Sequence, residues 1–158
     1  MNPEQLTRHP ISVEELLHEA QQKLPAEMLE KSLIRQNDLL KSLQVDVDRT
    51  LVSYAFRNLM ENAFKFEAKH LYISGKADNG FISIEFKDDG PGIPPEDVDR
   101  VFEPFYQVDA DFTGQVAGPG LGLTVVKQVV ESHGGKVWVD SAMGRGSTFF
   151  VQLPRAEK

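Results

Sequence analysis

The sequence predicts an α+β fold: a two-layer α/β sandwich in which helices cover one face of a mixed, mainly antiparallel sheet. Three observations predict it. Residues 48–66 and 120–133 have the spacing of long amphipathic helices, two pairs of strand-like segments are each joined by a glycine-containing turn, and these elements alternate along the chain. Hairpin-linked strands interleaved with helices have one apolar sheet face to bury against the helices.

The N-terminal part predicts one helix and two short strands. An apolar stripe runs through residues 11–24, with Ser12 as its N-cap and Glu15 three residues on as the capping-box partner. Weaker signals predict strands at residues 29–36 and 43–47.

The middle of the chain predicts a long helix followed by a hairpin. Asp48 is placed to cap a helix that runs to about Phe66, with its apolar side chains on one arc. Residues 71–77 and 81–86 predict two strands, and the Asn79-Gly80 pair between them favours a tight hairpin turn.

The C-terminal part predicts two helices and a closing hairpin. Residues 95–101 indicate a short helix, and residues 103–119 show no period and indicate a long loop. A second long helix over 120–133 is followed by strands at 136–141 and 147–153.

Composition excludes several classes of protein. The chain has 158 residues, 41% of them hydrophobic, which suffices for a buried core. Its formal charge of −7 argues against a nucleic-acid partner. The absence of cysteine excludes disulfides and thiolate chemistry. No apolar run approaches a membrane span and the first 25 residues lack a signal core, so we expect no direct membrane insertion and a cytoplasmic location, as a cytosolic part of a membrane-bound sensor or otherwise.

The length predicts one domain, and the polar residues ahead of the first helix indicate a linker. We expect residues 1–24 to be a linker and helix leading from an upstream region. Residues 25–156 then form the domain itself.

A polar stripe runs along the first long helix. Asn58, Asn62 and Lys65 stand at i, i+4 and i+7 and therefore share a face. One interpretation is a hydrogen-bonded helix surface, with Glu61 paired to Lys65. The other is a ligand site, because an amide oxygen suits Mg²⁺ and a lysine suits phosphate.

Three glycine-rich motifs follow the stripe. The first begins at Asp88 and runs to Ile93, and its carboxylate could accept a hydrogen bond from an exocyclic amine. The second, residues 118–123, opens a helix, where backbone N–H groups suit phosphate. The third is residues 144–149. Taken singly, each is also explained as a turn or loop.

In combination, the motifs resemble the catalytic ATP-binding domain of sensor histidine kinases. Asn58 to Phe66, the Asp88 motif, Phe102 to Tyr106, and the last two glycine motifs match that family's N, first-glycine, F, second-glycine and third-glycine boxes in order. The resemblance covers residues 11–154. It implies the Bergerat-type ATP-binding fold shared with DNA gyrase and the large heat-shock chaperone.

The resemblance also implies ATP and Mg²⁺ as ligands and a role for each matched residue. Asn62 would ligate the metal, Asn58 and Lys65 would face the phosphates, and Asp88 would accept the adenine amino group. Asn62 and Lys65 are therefore the candidate catalytic residues. The other residues that it assigns to the nucleotide are Phe66, Gly90, Gly92, Ile93, Tyr106, Gly118, Gly120, Leu121, Gly122, Leu123 and Ser147. Phe102 and Phe105 would anchor a lid.

The implied reaction is transfer of the ATP γ-phosphate to a histidine in two-component signalling. Hydrolysing relatives carry a glutamate as base where this chain has Asn58, which favours transfer over hydrolysis. None of the four histidines has the sequence context of an acceptor, so we expect the acceptor on a separate dimerisation domain, in the same protein or in trans. A response regulator receiver domain is the expected next partner.

One departure from the family pattern keeps alternatives open. No lysine or arginine occurs from Val101 to Val126, and Gln107 stands where the family often has arginine. Because cations stabilise phosphoryl transfer, one alternative is a degenerate nucleotide-binding or protein-interaction module with little transfer. A serine kinase of the anti-sigma type is a further alternative with the same fold.

Overall fold

The structure is a computed structural model that describes residues 5–31, 33–104 and 122–156. Its strands are β1 Arg8–Ser12, β2 Leu33–Gln36, β3 Gln44–Asp48, β4 His70–Asp78, β5 Phe81–Asp88, β6 Lys136–Ala142 and β7 Gly146–Pro154. Its α-helices are α1 Val13–Gln22, α2 Ala26–Lys31, α3 Arg49–Lys65, α4 Pro95–Val98 and α5 Gly122–Ser132, with a 3₁₀ helix at Asp38–Lys41.

A five-stranded sheet in the order β2-β4-β5-β7-β6 organises the molecule. Only β2 and β4 pair in parallel; the other neighbours are antiparallel. Strands β1 and β3 form a separate antiparallel pair. On β5, Ile82, Ile84 and Phe86 are buried and alternate with less buried residues, as expected when one sheet face is covered. The predicted sandwich with a mixed, mainly antiparallel sheet is therefore confirmed.

One hydrophobic core lies between this sheet face and the helices. Helix α3 contributes Phe56, whose ring lies 5.4 Å from that of Phe86 on β5. Leu16 and Leu17 of α1 and Val126 of α5 are fully buried in the same cluster. Each side chain of this size contributes roughly 1.5–3 kcal/mol on burial, so α1, α3 and α5 are fixed to the sheet mainly by packing.

Both predicted N-caps are present. The Ser12 hydroxyl accepts a hydrogen bond from the backbone N–H of Glu15 at 3.1 Å. Asp48 Oδ1 accepts from the backbone N–H of Leu51 at 3.3 Å and begins α3. These bonds satisfy backbone donors that have no partner within the first turn of a helix.

Two element boundaries differ from the predictions. Ile11 lies in β1 opposite Val45 rather than in a helix, because its strand pairing buries it beside β3. Residues 26–31 form α2 rather than the start of a strand. The run after Pro25 is rich in helix formers, and this local preference wins over the apolar pattern that suggested a strand.

The N-terminal segment packs as part of the same core. Strand β1 pairs with β3, and the apolar face of α1 joins the central cluster. The predicted division into a linker and helix over residues 1–24 and a domain over residues 25–156 stays a prediction. In the part of the chain that the structure describes, no helix is both long and apolar enough to span a bilayer.

Candidate functional site

A buried carboxylate marks the end of β5. Asp88 continues the buried alternation of that strand and is only 9% exposed. Its Oδ1 accepts hydrogen bonds from the backbone N–H of Gly90 at 2.9 Å and of Ser147 at 3.2 Å. Within the described residues, Oδ2 receives no hydrogen bond. An acceptor oxygen thus remains available to a ligand that donates an N–H or O–H.

The electrostatics of Asp88 reflect this burial. Loss of water raises the pKa of the Asp88 carboxyl above its ordinary value of 3.8, while the N–H bonds from Gly90 and Ser147 oppose the rise and the Asp89 charge adds to it. No lysine or arginine of the described residues pairs with the carboxylate. It is held by backbone donors alone.

Two glycines allow the backbone to close around Asp88. Gly146 has φ +87°, and a Cβ there would lie 2.1 Å from the carbonyl oxygen of Asp88. A Cβ at Gly90 would lie 3.1 Å from Asp88 Oδ1. Gly146 therefore lets β7 reach the carboxylate, and Gly90 keeps space free beside it.

A chain of hydroxyl groups ties the first glycine motif to the last hairpin. The backbone N–H of Ile93 donates to Ser141 Oγ at 2.6 Å, and Ser141 Oγ lies 2.9 Å from Ser147 Oγ. Gly92 has φ +86°, and a Cβ on it would lie 2.4 Å from the Ala142 carbonyl oxygen. The first and third glycine motifs are thus brought together at the ends of β5, β6 and β7.

Helix α3 meets the start of α5 at Asn58. The Asn58 side chain is buried, and its Nδ2 donates to the carbonyl oxygen of Gly122 at 3.4 Å. Gly122 is the first residue of α5 and the first described residue of the second glycine motif. This pair brings the polar stripe of α3 to the first residue of α5.

The other end of α3 meets the first glycine motif. Phe66 ends the helix, and its carbonyl oxygen lies 3.1 Å from the Cβ position of Gly90. Asn58, Asn62 and Phe66 stand at i, i+4 and i+8 and so follow one helix face. Asn62 accordingly lies between the contact with Gly122 and the contact with Gly90, about one turn from each.

Asn62 and Lys65 have unused polar groups. Asn62 is half-buried and Lys65 is exposed, and neither side chain has a hydrogen-bond or ion-pair partner in the described part of the chain. The interpretation in which Glu61 pairs with Lys65 is wrong. Glu61 pairs with Arg57 at 3.2 Å, because Arg57 lies one turn before it on α3.

Some residues predicted for the site pack into the core, and others lie outside the residues that the structure describes. Leu123 is half-buried on α5 and packs against the core. Phe102 packs edge-on against Phe149, with ring centroids 6.0 Å apart. The predicted site residues that lie outside the described residues, together with the expected lid anchor Phe105, are Tyr106, Gly118, Gly120 and Leu121.

Three residues of this region were not identified from the sequence. Gly146 belongs to the third glycine motif, but the motif assigns it no role of its own, and nothing in the sequence singles out Ser141. Nor does the sequence indicate that His133, at the C-terminal end of α5, is 2% exposed with both ring nitrogens hydrogen-bonded. For Gly146, the pair of glycines flanking Arg145 was the available signal; the other two need the packing between strands and helices.

The sheet, the antiparallel pair of α3 and α5 and the buried Asp88 characterise the domain, and comparison with known proteins gives its family. Residues 47–157 match the family model "Histidine kinase-, DNA gyrase B-, and HSP90-like ATPase". This range is well over half of the chain. The chain belongs to this family, and the resemblance found from its motifs is confirmed.

Curated relatives narrow the similarity to sensor histidine kinases. Sensor histidine kinase WalK of Bacillus subtilis is 35% identical over 122 residues, which is 75% of this chain and 20% of WalK. Sensor protein kinase WalK of Staphylococcus aureus is 33% identical over 118 residues, which is 72% of this chain and 28% of that protein. The chain's match spans between a fifth and just over a quarter of the length of these relatives.

Solved structures that resemble this chain also belong to sensor histidine kinases. A mycobacterial sensor histidine kinase, MprB, superposes with a TM-score of 0.78 at 26% identity, covering 96% of this chain and 100% of that one. Full-length ShkA in complex with AMPPNP gives 0.79 at 28% identity, covering 98% of this chain and 32% of ShkA. The domain is an ATP-binding catalytic domain of the sensor histidine kinase type.

Proposed function

We propose that this domain binds ATP with Mg²⁺ between α3, the first glycine motif and the start of α5, and transfers the γ-phosphate to a histidine on a separate dimerisation domain. The observation that carries the proposal is the path along α3. Its polar face begins against Gly122, passes Asn62, and ends at Phe66 beside Gly90 and the buried carboxylate of Asp88.

The end of the proposed site beside Asp88 is suited to the adenine base of the nucleotide. Asp88 Oδ2 would accept a hydrogen bond from an exocyclic amine, since Oδ1 is already occupied by two backbone N–H groups. Gly90, Gly92 and Ile93 would line a flat ring, and Phe66 would flank it. Ser147 supports this end through its backbone N–H to Asp88, and its hydroxyl is part of the chain to Ser141.

The other end of the α3 face is suited to phosphates. The side-chain amide oxygen of Asn62 is free within the described residues and would be the protein's metal ligand. When bound, Mg²⁺ would neutralise charge on the phosphate oxygens. Asn58 and the exposed ammonium of Lys65 would face the same groups, and Lys65 has no competing carboxylate in the described part of the chain.

The second glycine motif completes the proposed site. Gly118, Gly120, Leu121, Gly122 and Leu123 would cradle the phosphates with backbone N–H groups, and Tyr106 would flank the nucleotide. Gly122 supports this role, because its carbonyl oxygen contacts Asn58 and so brings the start of α5 to the polar face of α3.

The residue at position 58 favours transfer over hydrolysis. An asparagine cannot act as a general base for water. The Asn58 amide instead donates a hydrogen bond to the carbonyl oxygen of Gly122. In the proposed reaction, an imidazole nitrogen forms a bond to the γ-phosphorus while the bond from that phosphorus to the β–γ bridging oxygen breaks. ADP leaves with the electron pair of the broken bond.

The partners follow from the reaction. We propose that the acceptor histidine lies on a dimerisation domain of the same full-length protein or of another chain, and that a response regulator receiver domain takes the phosphate next. We place the domain in the cytoplasm, either free or as the cytosolic part of a membrane-bound sensor, without a nucleic-acid partner.

Calorimetry tests nucleotide binding. ATP with Mg²⁺ is expected to bind the purified chain with 1:1 stoichiometry, and more weakly when EDTA removes the metal. Asn62→Asp is the matched variant, because it keeps the size of the side chain and changes its charge and hydrogen-bonding pattern. Failure of the wild-type chain to bind ATP would overturn the proposal.

Phosphate transfer is tested by mixing the chain with a fragment that carries matching dimerisation helices. Acid-labile phosphate on the fragment is the expected result, because phosphohistidine hydrolyses in acid. ATP binding without transfer would favour the degenerate module, for which the absence of lysine and arginine from Val101 to Val126 is the supporting observation. Acid-stable phosphate on a partner serine would favour a serine kinase.

A further inference from the structure

His133 is a buried histidine at the C-terminal end of α5. It is 2% exposed, its Nδ1 lies 2.8 Å from the Val129 carbonyl oxygen, and its Nε2 lies 3.0 Å from the backbone N of Asp48. A carbonyl only accepts and a backbone N–H only donates, so Nδ1 carries the proton and Nε2 is the acceptor. The ring is therefore neutral when both bonds are made.

The bond to Asp48 joins the two helices of the candidate site. Asp48 is the N-cap of α3, and Asn58, ten residues later, contacts Gly122 at the start of α5. Ten residues of α3 and eleven of α5 separate the two contacts, which correspond to about 15 Å and about 16 Å of helix. The two helices are antiparallel, and a side-chain hydrogen bond joins them at each end of α5.

The contact at His133 is the better defined of the two. The bond from Asp48 to the buried His133 is 3.0 Å long, whereas the bond from Asn58 to Gly122 is 3.4 Å long. Asp48 is itself fixed, because its Oδ1 accepts from Leu51 and its Oδ2 accepts from the backbone N–H of Thr7 at 3.1 Å. Because a helix moves along its axis as one unit, a shift of α5 along α3 that breaks the bond to His133 also moves Gly122 away from Asn58 by the same distance.

We propose that His133 is a positioning residue that holds α5 in register against α3, so that Gly122 meets Asn58 on the polar face of α3. The bond itself is a feature of the fold; its effect on nucleotide affinity rests on the proposed ATP site.

Charge around the ring determines how this contact responds to acid. Burial lowers the pKa of His133 below its ordinary value of 6.5. The hydrogen bond to the Val129 carbonyl and the charges of Asp48 and Asp46 oppose this, and the Arg8 charge adds to it. Protonation places a second N–H on Nε2, opposite the N–H of Asp48, and the bond is lost. The register of the helix pair is thus linked to a proton on His133.

Two substitutions separate positioning from simple packing. In His133→Gln, the amide can accept from Asp48 and donate to Val129, so register is kept. In His133→Phe, the ring volume is roughly kept but both hydrogen bonds are lost. His18→Gln is the matched control, because His18 is an exposed histidine on α1 whose hydrogen bond goes to Gln22.

The first readout is the NMR signal of the Asn58 side-chain amide, without nucleotide. We expect His133→Phe to move this signal, about 15 Å along α3 from the substitution, while His133→Gln and His18→Gln leave it in place. The second readout is calorimetry with ATP and Mg²⁺, in which His133→Phe is expected to bind about tenfold more weakly. If His133→Phe lowers stability but leaves the Asn58 signal in place, the residue is only a packing element and the proposal is overturned.

A pH profile provides the remaining test. The wild-type Asn58 signal is expected to shift as pH falls below 6.5, in step with protonation of His133 followed by ¹⁵N-labelled histidine. The signal of His133→Gln is expected to stay constant over the same range; Asp88 is present in both chains, so any effect of its titration is common to the two profiles. A wild-type profile identical to that of His133→Gln would overturn the proposal. The NMR comparison of the variants and the pH profile are both recorded without ATP. If the chain fails to bind ATP, these two experiments therefore still test the role of His133.

Discussion

The backbone N–H of Ser147 donates a hydrogen bond to the carboxylate of Asp88 across the junction of β7 and β5, at 3.2 Å. The close approach depends on Gly146, where a side chain would collide with the Asp88 carbonyl oxygen. The carboxylate is consequently oriented by main-chain donors that cannot rotate away. Among the described residues, Asp88 Oδ2 accepts no hydrogen bond and no lysine or arginine pairs with the carboxylate.

Asp88→Asn is expected to weaken ATP binding by at least about tenfold, because a buried acceptor for an amine is replaced by a group that can present a donor. Stability is expected to change in the opposite direction. The folded pKa of Asp88 is raised, so the folded state holds its proton more tightly, and stability falls as pH rises from 3.8 through the folded pKa. The neutral asparagine avoids this loss at pH 7.

Calorimetry and urea unfolding at pH 7 check both halves of this prediction. The midpoint of Asp88→Asn is expected to equal or exceed that of the wild-type chain, with a flatter pH profile in the acid range. A large loss of stability together with the loss of affinity would mean that the carboxylate has a structural role. The proposal that Asp88 accepts the adenine amino group would then be contradicted.

Asp89 is the contrasting neighbour. Its Oδ1 accepts from the backbone N–H groups of Lys69 at 2.8 Å and His70 at 2.9 Å, and its Oδ2 lies 2.6 Å from His70 Nδ1. Asp89→Ala is expected to cost about 1–2 kcal/mol of unfolding free energy through the lost bonds, and to leave ATP affinity within about twofold.

The pH dependence of Asp89 has the reverse sign from that of Asp88. Desolvation acts to raise its pKa, but the bonds from His70 and Lys69 outweigh it and the net pKa is lowered. Its stabilisation is therefore present above pH 3.8 and is lost as pH falls through the folded pKa. Urea unfolding of Asp89→Ala against the wild-type chain should show the difference shrinking in acid; a constant difference would contradict the assignment.

The sequence predicts most of the fold because its patterns are local. Alternation of Ile82, Ile84 and Phe86, the Asn79-Gly80 turn and the caps at Ser12 and Asp48 each act within a few residues. The strand at Ile11 was missed because pairing with Val45, thirty-four residues away, decides its structure.

The candidate site divides in the same way. Asp88 and the stripe on α3 were identified because residue type and spacing carry their chemistry. Ser141 and His133 were not, because the sequence does not show which backbone N–H a hydroxyl or an imidazole will meet after folding. Their partners, Ile93 and Asp48, are far apart from them in the chain.

The two glycines of the last hairpin turn allow a matched test of close packing. Both have positive φ, +80° at Gly144 and +87° at Gly146, so alanine is strained at each by about 1 kcal/mol or more. A Cβ at Gly144 meets nothing within 4 Å, whereas one at Gly146 meets Asp88. Gly146→Ala is expected to lose about 2–4 kcal/mol of stability and to weaken ATP binding, and Gly144→Ala about 1 kcal/mol with affinity unchanged. Equal losses in the two variants, measured by urea unfolding and calorimetry, would show that β7 does not bear on Asp88.

Lys65 is predicted to act on phosphate without acting on the fold. It is exposed at the last turn of α3, and Glu61, its nearest candidate partner on the helix, is already paired with Arg57. Lys65→Gln is expected to weaken ATP–Mg²⁺ binding about tenfold at low salt and less at high salt, since an exposed charge is screened. Lys76→Gln, an exposed lysine on β4, is the control and is expected to leave affinity unchanged. The urea midpoint should stay constant in both variants. An equal loss of affinity in the two would indicate general attraction of an anionic ligand rather than a specific contact at Lys65.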